Sequence, residues 1–438
     1  MPQSTQDELE RRTLRKVLGR LVPFMILAYI LNYLDRTNIG FAALHFKQDL
    51  GFDDAIYGWG TGIFFWGYFL FEVPSNLIME RVGARRWMAR IMITWGLITM
   101  ALAYTRGPMS FYGLRFLLGV AEAGFFPGLV LYLTYWVPKT HRARALATCM
   151  TSTAIAGVLG SIIGGQIMTR MAGVMDMKGW QWLFLLEGFP SVLLGFFVLM
   201  ALTDRPSDAK WLQPDEREWL SKTLERERAE ATRDGNSHGF TAALKQPGIW
   251  ILSAIYFLLL MGYYGINFWL PKIIEPLYGP NPVTIGWVST IPFLAAGIGM
   301  VLIGKHSDAT GERRWHAIAT LALGAVGYAI AMLELSPAMT LLGLSIASVG
   351  IWGTLGTFWS LSTDYLSPAA AAGGIAFINS VGNLGGGFLG PVIMGQIKNA
   401  TNSFVYGLIL NAICLALGAA LVLLLSRHLA SPTKKKTP

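Results

Sequence analysis

Asn76-Leu-Ile-Met-Glu80-Arg-Val-Gly83-Ala-Arg85-Arg86-Trp87 returns 228 positions later as Gly304-Lys-His-Ser-Asp308-Ala-Thr-Gly311-Glu-Arg313-Arg314-Trp315, with acid, glycine, paired arginines and tryptophan in register. A second pair agrees: Leu159-Gly160 with Gly165-Gln166-Ile167 matches Leu389-Gly390 with Gly395-Gln396-Ile397, shifted by 230. The chain is therefore an internal duplication over most of its length. Parallel halves of this kind build a central cavity that opens alternately to either side in many secondary transporters.

What lies between the repeated loops is apolar. Of 438 residues 53% are hydrophobic and 14% charged, against roughly 25% charged in a soluble domain, and the mean hydropathy is +0.46. Crossing about 30 Å of hydrocarbon takes roughly 20 helical residues. Stretches of that length are expected near 21–44, 57–79, 87–105, 109–136, 143–169, 180–202, 249–271, 284–304, 315–335, 338–360, 371–397 and 403–426. The expectation is an all-α membrane protein with twelve transmembrane helices in two pseudo-symmetric six-helix bundles. Its parts are an N-terminal bundle over residues 1–202, a polar linker over 203–248 and a C-terminal bundle over 249–438. Pro214 to Glu218, followed by Leu220 and Leu224, suggests a capped surface helix within the linker.

The net charge of +9 follows topology rather than nucleic-acid binding. One set of alternate loops holds Arg11, Arg12, Arg15, Lys16 and Arg20; Arg81, Arg85 and Arg86; Lys139, Arg142 and Arg144; Lys305, Arg313 and Arg314; and Arg427 with Lys434 to Lys436. The other holds Lys47, Arg106, Arg170, Lys178, Lys272 and Lys398. Positive charge marks the cytoplasmic side, so both termini are expected in the cytoplasm of a bacterium, with the chain in its inner membrane. The first span has no small-residue cleavage site and is expected to be retained. Cys149 and Cys414 lie in separate apolar segments. The six histidines, His45, His141, His238, His306, His316 and His428, fall near loops or span ends without ligand spacing. No metal, cofactor or enzyme chemistry is expected.

The acid-x-x-Gly-x-Arg-Arg loop resembles the signature loop of the major facilitator superfamily, and here it occurs twice. That resemblance implies that Glu80, Arg85, Arg86, Asp308, Arg313 and Arg314 are gating residues that latch helix ends. Glu80 stands for the usual Asp, and Asn76 for the usual Gly. Three further stretches are similar to the anion:cation symporter family: Asn32-Tyr-Leu-Asp35-Arg36-Thr-Asn38-Ile-Gly40, Phe71-Glu-Val-Pro-Ser-Asn76, and Arg115-Phe-Leu-Leu-Gly119-Val-Ala-Glu122-Ala-Gly-Phe-Phe-Pro127-Gly128. The family implies import of a small organic carboxylate (a hydroxy, sugar or aromatic acid), driven by the proton gradient.

Charge in hydrocarbon is costly, from roughly 3 to more than 10 kcal/mol per group, so intramembrane ions face cavities, pair and do work. Asp35 and Arg36 fall in span one, and Arg115 and Glu122 in span four. Seven residues apart, the latter two share one helix face about 10 Å apart. Arginine stays protonated and grips carboxylate with a planar fork, so Arg36 and Arg115 are the expected substrate receptors. Desolvation drives a buried carboxylate toward its protonated form and a neighbouring arginine drives it back; Asp35 and Glu122 are the expected proton carriers. The four groups sum to zero with both acids ionised and to a dication with both protonated, which links anion binding to proton loading. As bare residues, the same groups also fit buried pairs that merely brace helices.

Tyr33, Asn379 and Asn383 are further candidates for lining the substrate site. Glu72 and Glu187, beside Pro74 and Gly188, are expected to serve helix-end hydrogen bonding instead. Glycines at 157, 160 and 164, and at 382, 386 and 390, suit close helix packing. The expected partners are a small organic anion, protons and the lipid bilayer, with the chain a monomer. The alternatives are an organic-anion exchanger or exporter of the same fold, and a non-transporting membrane sensor or receptor.

Overall fold

The computed structural model describes residues 3–233, 244, 246–365 and 368–430. Lys434 to Lys436 lie outside the described residues. The first half contains α1 (Gln3–Leu50), α2 (Asp54–Val82), α3 (Ala84–Leu102), α4 (Pro108–Glu122), α5 (Phe125–Trp136), α6 (Lys139–Met150), α7 (Ser152–Arg170) and α8 (Gly179–Ala201). After the linker helix α9 (Pro214–Arg233) come α10 (Pro247–Tyr278), α11 (Pro282–Thr310), α12 (Arg314–Ala331), α13 (Pro337–Tyr365), α14 (Pro368–Gly382), a π-helical segment (Asn383–Leu389), α15 (Gly390–Thr401) and α16 (Val405–Ala430). Eight helical stretches have by themselves the length and hydropathy to cross a membrane. With α4–α5, α6–α7 and α14–α15 each forming one interrupted pass, the chain makes twelve helical passes in two bundles of six.

Two interruptions have local causes. Pro127 has no N–H for the Ala123 carbonyl and its ring crowds that carbonyl, which weakens the helix at this point. It breaks at Gly124, whose φ of 86° favours glycine; a Cβ there would also sit 2.3 Å from Ser75 Oγ. Glu122 is left as the last residue of α4. In the eleventh pass, Pro391 deprives the Gly387 carbonyl in the same way. The chain widens into a π-helix across Asn383–Leu389, a form often found at functional sites.

The halves meet at one end through pairs of glycines. A Cβ on Gly58 of α2 would lie 2.5 Å from the Pro391 carbonyl oxygen and 3.2 Å from Gly395 Cα. A Cβ on Gly165 of α7 would lie 2.4 Å from the Pro282 carbonyl oxygen and 3.3 Å from Gly286 Cα. Gly58 and Gly286 are related by the 228-position repeat, and Gly165 and Gly395 by the 230-position repeat. The two crossings are thus one contact made twice about the pseudo-two-fold axis. At the same end Tyr57 Oη donates to the Phe268 carbonyl over 2.7 Å, and Lys272 pairs with Asp54.

Overpacking such a crossing costs about 1–3 kcal/mol, enough to shift a two-state equilibrium about 5- to 150-fold. Gly58→Leu is therefore expected to open this end. With Cys149 and Cys414 replaced by Ser, a Ser161→Cys thiol, placed at the related crossing, should react faster with maleimide in the Gly58→Leu background. An unchanged rate would show that the crossing does not hold the end shut.

The linker helix is docked rather than free. Glu216 is buried, lies 2.9 Å from Arg12 Nε and 2.8 Å from Lys16 Nζ in ion pairs, and accepts Lys16 Nζ on Oε2 over 3.0 Å. It also caps the Gln213 N–H at 2.9 Å. Acids of the first turn of α9 are thereby clamped by the basic start of α1.

Candidate functional site

The buried ions of the first half gather between α1, α2, α3 and α4. Asp35 and Arg36, adjacent on a helix, point about 100° apart. Asp35, 2% exposed, turns to α3: Thr99 Oγ1 donates to its Oδ2 over 2.8 Å, and Asn38 Nδ2 donates to its Oδ1 over 3.1 Å. Arg36 turns to α4. Its Nη2 and Nε lie 3.3 and 3.4 Å from Glu122 Oε2, which also accepts Asn32 Nδ2 at 2.8 Å. Glu122 Oε1 is buried with no hydrogen-bond partner.

Arg115 is 1% exposed and makes no ion pair among the described residues. Its Nε donates to the Gly60 carbonyl over 3.2 Å and its Nη2 lies 3.5 Å from the Thr61 carbonyl oxygen, with its guanidinium 5.0 Å from the Phe64 ring centre. The ionic contact across α1 and α4 is thus Arg36 with Glu122, in place of pairs within either helix. Arg115 braces α4 against the backbone of α2.

Arg36 is the arginine at the seam between the halves. The rings of Tyr33, Phe64 and Tyr68 surround its guanidinium with centroids 5.5, 5.4 and 5.5 Å away, an arrangement that favours a cation over ring faces. From the other half Tyr264 packs against Phe65 of α2, with ring centroids 4.7 Å apart. Tyr264 Oη donates to Asn383 Oδ1 over 2.9 Å, and Asn383 Nδ2 to Asn379 Oδ1 over 3.0 Å. Asn383 opens the π-segment, and its side chain meets Tyr264 of α10. The seam therefore carries a cationic fork on one side and a hydroxyl-amide chain on the other.

The loop residues are less uniform than the repeat suggests. Arg313 pairs with Asp308 at 2.6 Å and donates to Ser307 Oγ over 2.9 Å. In the first copy, Asp204 accepts the Arg85 N–H over 2.8 Å, with Arg85 Nε 3.9 Å from its carboxylate. Glu80 and Arg86 are exposed, and Arg314 lies over the Trp315 ring at 5.1 Å.

Several partners were not singled out in the sequence. Asn38, three residues after Asp35, carries a readable i,i+3 signal. Asn32, Thr99, Asp204 and the Asp54–Lys272 pair carry none without the fold. Glu187 departs from expectation. It lies well inside α8, 5% exposed, and neither oxygen has a hydrogen-bond partner. Glu72 likewise lies inside α2, where its backbone carbonyl accepts Asn76 Nδ2.

The sequence profile of the Major Facilitator Superfamily matches residues 25–391, with a second match over 277–438. The chain belongs to the major facilitator superfamily. Like that superfamily's members it is a membrane transporter, not an enzyme. It is 48% identical over 98% of its length to a "Putative tartrate transporter" of Agrobacterium vitis, of which 95% is covered. It is 40% identical over 94% of its length to a "Quinolone resistance transporter" of Acinetobacter baumannii, 95% covered. Its fold matches the crystal structure of a bacterial homologue of the human lysosomal transporter Spinster with a TM-score of 0.77, at 19% identity, over 94% of this chain and 97% of that one.

Proposed function

We propose that this superfamily member is a proton-coupled symporter of the anion:cation type that carries a small organic carboxylate, tartrate in the first instance, across the bacterial inner membrane. The observation that carries the reading is the Arg36–Glu122 pair. Glu122 takes all its donors on Oε2 and leaves Oε1 bare. A proton can therefore occupy Oε1 without displacing a donor. Neutralising Glu122 releases Arg36 from its counter-ion and offers the guanidinium fork to a substrate carboxylate. Proton first and anion second is the order this geometry favours, and the two bindings assist one another.

Arg115 contributes positive charge behind Arg36, and Tyr33, Asn379 and Asn383 meet the substrate's hydroxyl or second carboxylate. Asp35 is the second proton carrier. Glu80, Arg85, Arg86, Asp308, Arg313 and Arg314 latch the loops on the side that loop charge marks as cytoplasmic. The end closed by Gly58, Gly165 and the Asp54–Lys272 pair then faces outward. The chain works as a monomer, with bundles over residues 1–202 and 249–438 rocking about the linker at 203–248.

The test is uptake of radiolabelled tartrate into proteoliposomes. Accumulation should follow an imposed inward proton gradient and vanish when an ionophore collapses it. In intact cells, a thiol at Asp53 should react with an impermeant reagent while one at Ser207 stays protected. Gradient-independent tartrate equilibration, or labelling at Ser207, would overturn the corresponding part. A second reading is export of an aromatic acid, favoured by the ring of Tyr33, Phe64 and Tyr68 around Arg36 and by the quinolone-resistance relative. It predicts that expression lowers cellular quinolone accumulation, with tartrate uptake absent.

A further inference from the structure

Glu187 and its surroundings are short of a hydrogen. The carboxyl is 5% exposed, and among the described residues neither oxygen has a donor within hydrogen-bond distance. The Asn38 side chain lies against it, and its charge field is shared with Asp35. Asn38 Nδ2 is spent on Asp35 over 3.1 Å, while Asn38 Oδ1 is buried without a donor. One turn along α8, the Ser191 hydroxyl is fully buried and unpartnered as well. The close crossing of α8 on α3 seals the place: a Cβ on Gly188 would sit 2.7 Å from the Gly96 carbonyl oxygen, and one on Gly96 2.7 Å from the Gly188 carbonyl oxygen.

Buried polar atoms are almost always paired, and an ionised carboxylate is an acceptor only. Ionised, Glu187 is a buried charge with no donor within hydrogen-bond distance among the described residues. A proton on Glu187 removes that uncompensated charge and converts one oxygen into a donor. Among the described residues no cation pairs with Glu187. The groups facing Glu187 from α1 are Asp35 and Asn38; α3 contributes Thr99, its arginines Arg85, Arg86 and Arg90 lying at its far end; α7 has only Arg170, at its terminus. Arg115 acts from α4 on Asp35. Two carboxylates bridged by one neutral amide in a low-dielectric interior cannot both stay ionised.

We propose that Glu187 is a third proton-binding site, joined to Asp35 through Asn38, whose proton is carried with the substrate. This deepens the symport reading above and rests on it. A fully ionised dicarboxylate carries two negative charges, and an inside-negative potential opposes the entry of each. Protons on Asp35 and Glu122 only cancel that charge. A third, on Glu187, makes the loaded carrier move net positive charge inward, so the potential assists uptake.

Two measurements separate the parts. Infrared difference spectra of the purified full-length protein, taken across a pH series without substrate, should contain a protonated-carboxyl C=O band that Glu187→Gln removes. Asn38→Leu, which takes away the amide, should shift that band's frequency. If the band survives Glu187→Gln, or if sodium at constant pH abolishes it as a competing cation, the proton site is wrong whatever the protein transports. Reversal potentials of tartrate flux in proteoliposomes should then give three protons per tartrate for the parent and two for Glu187→Gln. An unchanged ratio would remove the claim that this proton travels. Absence of any tartrate flux in the parent would overturn the substrate reading and the claim of a travelling proton, while the infrared result still decides the site.

Discussion

Arg36→Lys should raise the half-saturating tartrate concentration about 10- to 150-fold while protein yield stays normal. The charge is kept, but the fork is lost. A hydrogen bond to a charged group contributes about 1.5–3 kcal/mol, each 1.4 kcal/mol is about tenfold in affinity, and a point ammonium cannot reproduce a bidentate grip. The position is also built for a planar cation, with Tyr33, Phe64 and Tyr68 around it at 5.4 to 5.5 Å. Lysine loses part of that contact too.

Arg115→Lys is expected to behave differently. Arg115 holds the Gly60 carbonyl and lies against that of Thr61, so its shorter replacement should lower thermal stability and yield along with affinity. Counterflow, which needs binding and reorientation but no driving gradient, is the assay. Near-parental half-saturation for Arg36→Lys would remove Arg36 as the receptor. A matching loss in both variants without any stability difference would place Arg115 in direct contact with substrate as well.

The contrast between the two arginines shows what could be read from sequence and what could not. Twelve passes and the duplication are written in hydropathy and in loops whose acid, glycine and arginines recur at a fixed shift. Both signals are local or periodic, and no knowledge of packing is needed to read them. The cluster itself was legible for the same reason, since an ion in an apolar span stands out whatever it touches. Its pairing was not. Helical spacing puts Arg115 and Glu122 on one face, yet the contact runs between helices, from Arg36 to Glu122. That choice depends on how α1 and α4 are rotated against each other.

Gly188 beside Glu187 suggests a helix end, and Pro190 follows two residues later. In α8 the helix continues through both, to Ala201, and Gly188 serves the crossing with α3 instead. Asp204 was missed for the opposite reason. It looks like one more linker acid until the fold brings it to the Arg85 N–H. The broken fourth pass shows how the two kinds of information meet. Gly124 and Pro127 were visible, but only the structure shows that their break leaves Glu122 at a helix terminus, where its side chain reaches α1.

Glu122→Gln should abolish uphill uptake and leave exchange largely intact. The amide mimics the protonated acid in size and charge, keeps an oxygen to accept Asn32 and Arg36, and presents an NH2 where Oε1 now stands bare. Arg36 is then released for substrate permanently, so binding persists and loaded carriers reorient in both directions. The empty carrier cannot shed a proton at this position, and the site keeps one positive charge more than in the ionised parent. Holding that charge unpaired while crossing the membrane is costly. Return of the empty carrier, which net transport requires and exchange does not, is the step that should fail. Proteoliposomes loaded with tartrate at equal pH should therefore show counterflow within about threefold of the parent, a change of under about 1 kcal/mol. The same vesicles under an inward proton gradient should show accumulation reduced to background. Asp35→Asn is a weaker test, because Asp35 also ties α1 to Thr99 on α3 and its loss disturbs packing. If Glu122→Gln accumulates tartrate against its gradient as the parent does, with the same pH dependence, then Glu122 is a brace for Arg36 and Asn32 and the coupling proton sits elsewhere. Among the described residues of the membrane passes, Asp35 and Glu187 would then be the buried carboxyls left to carry it.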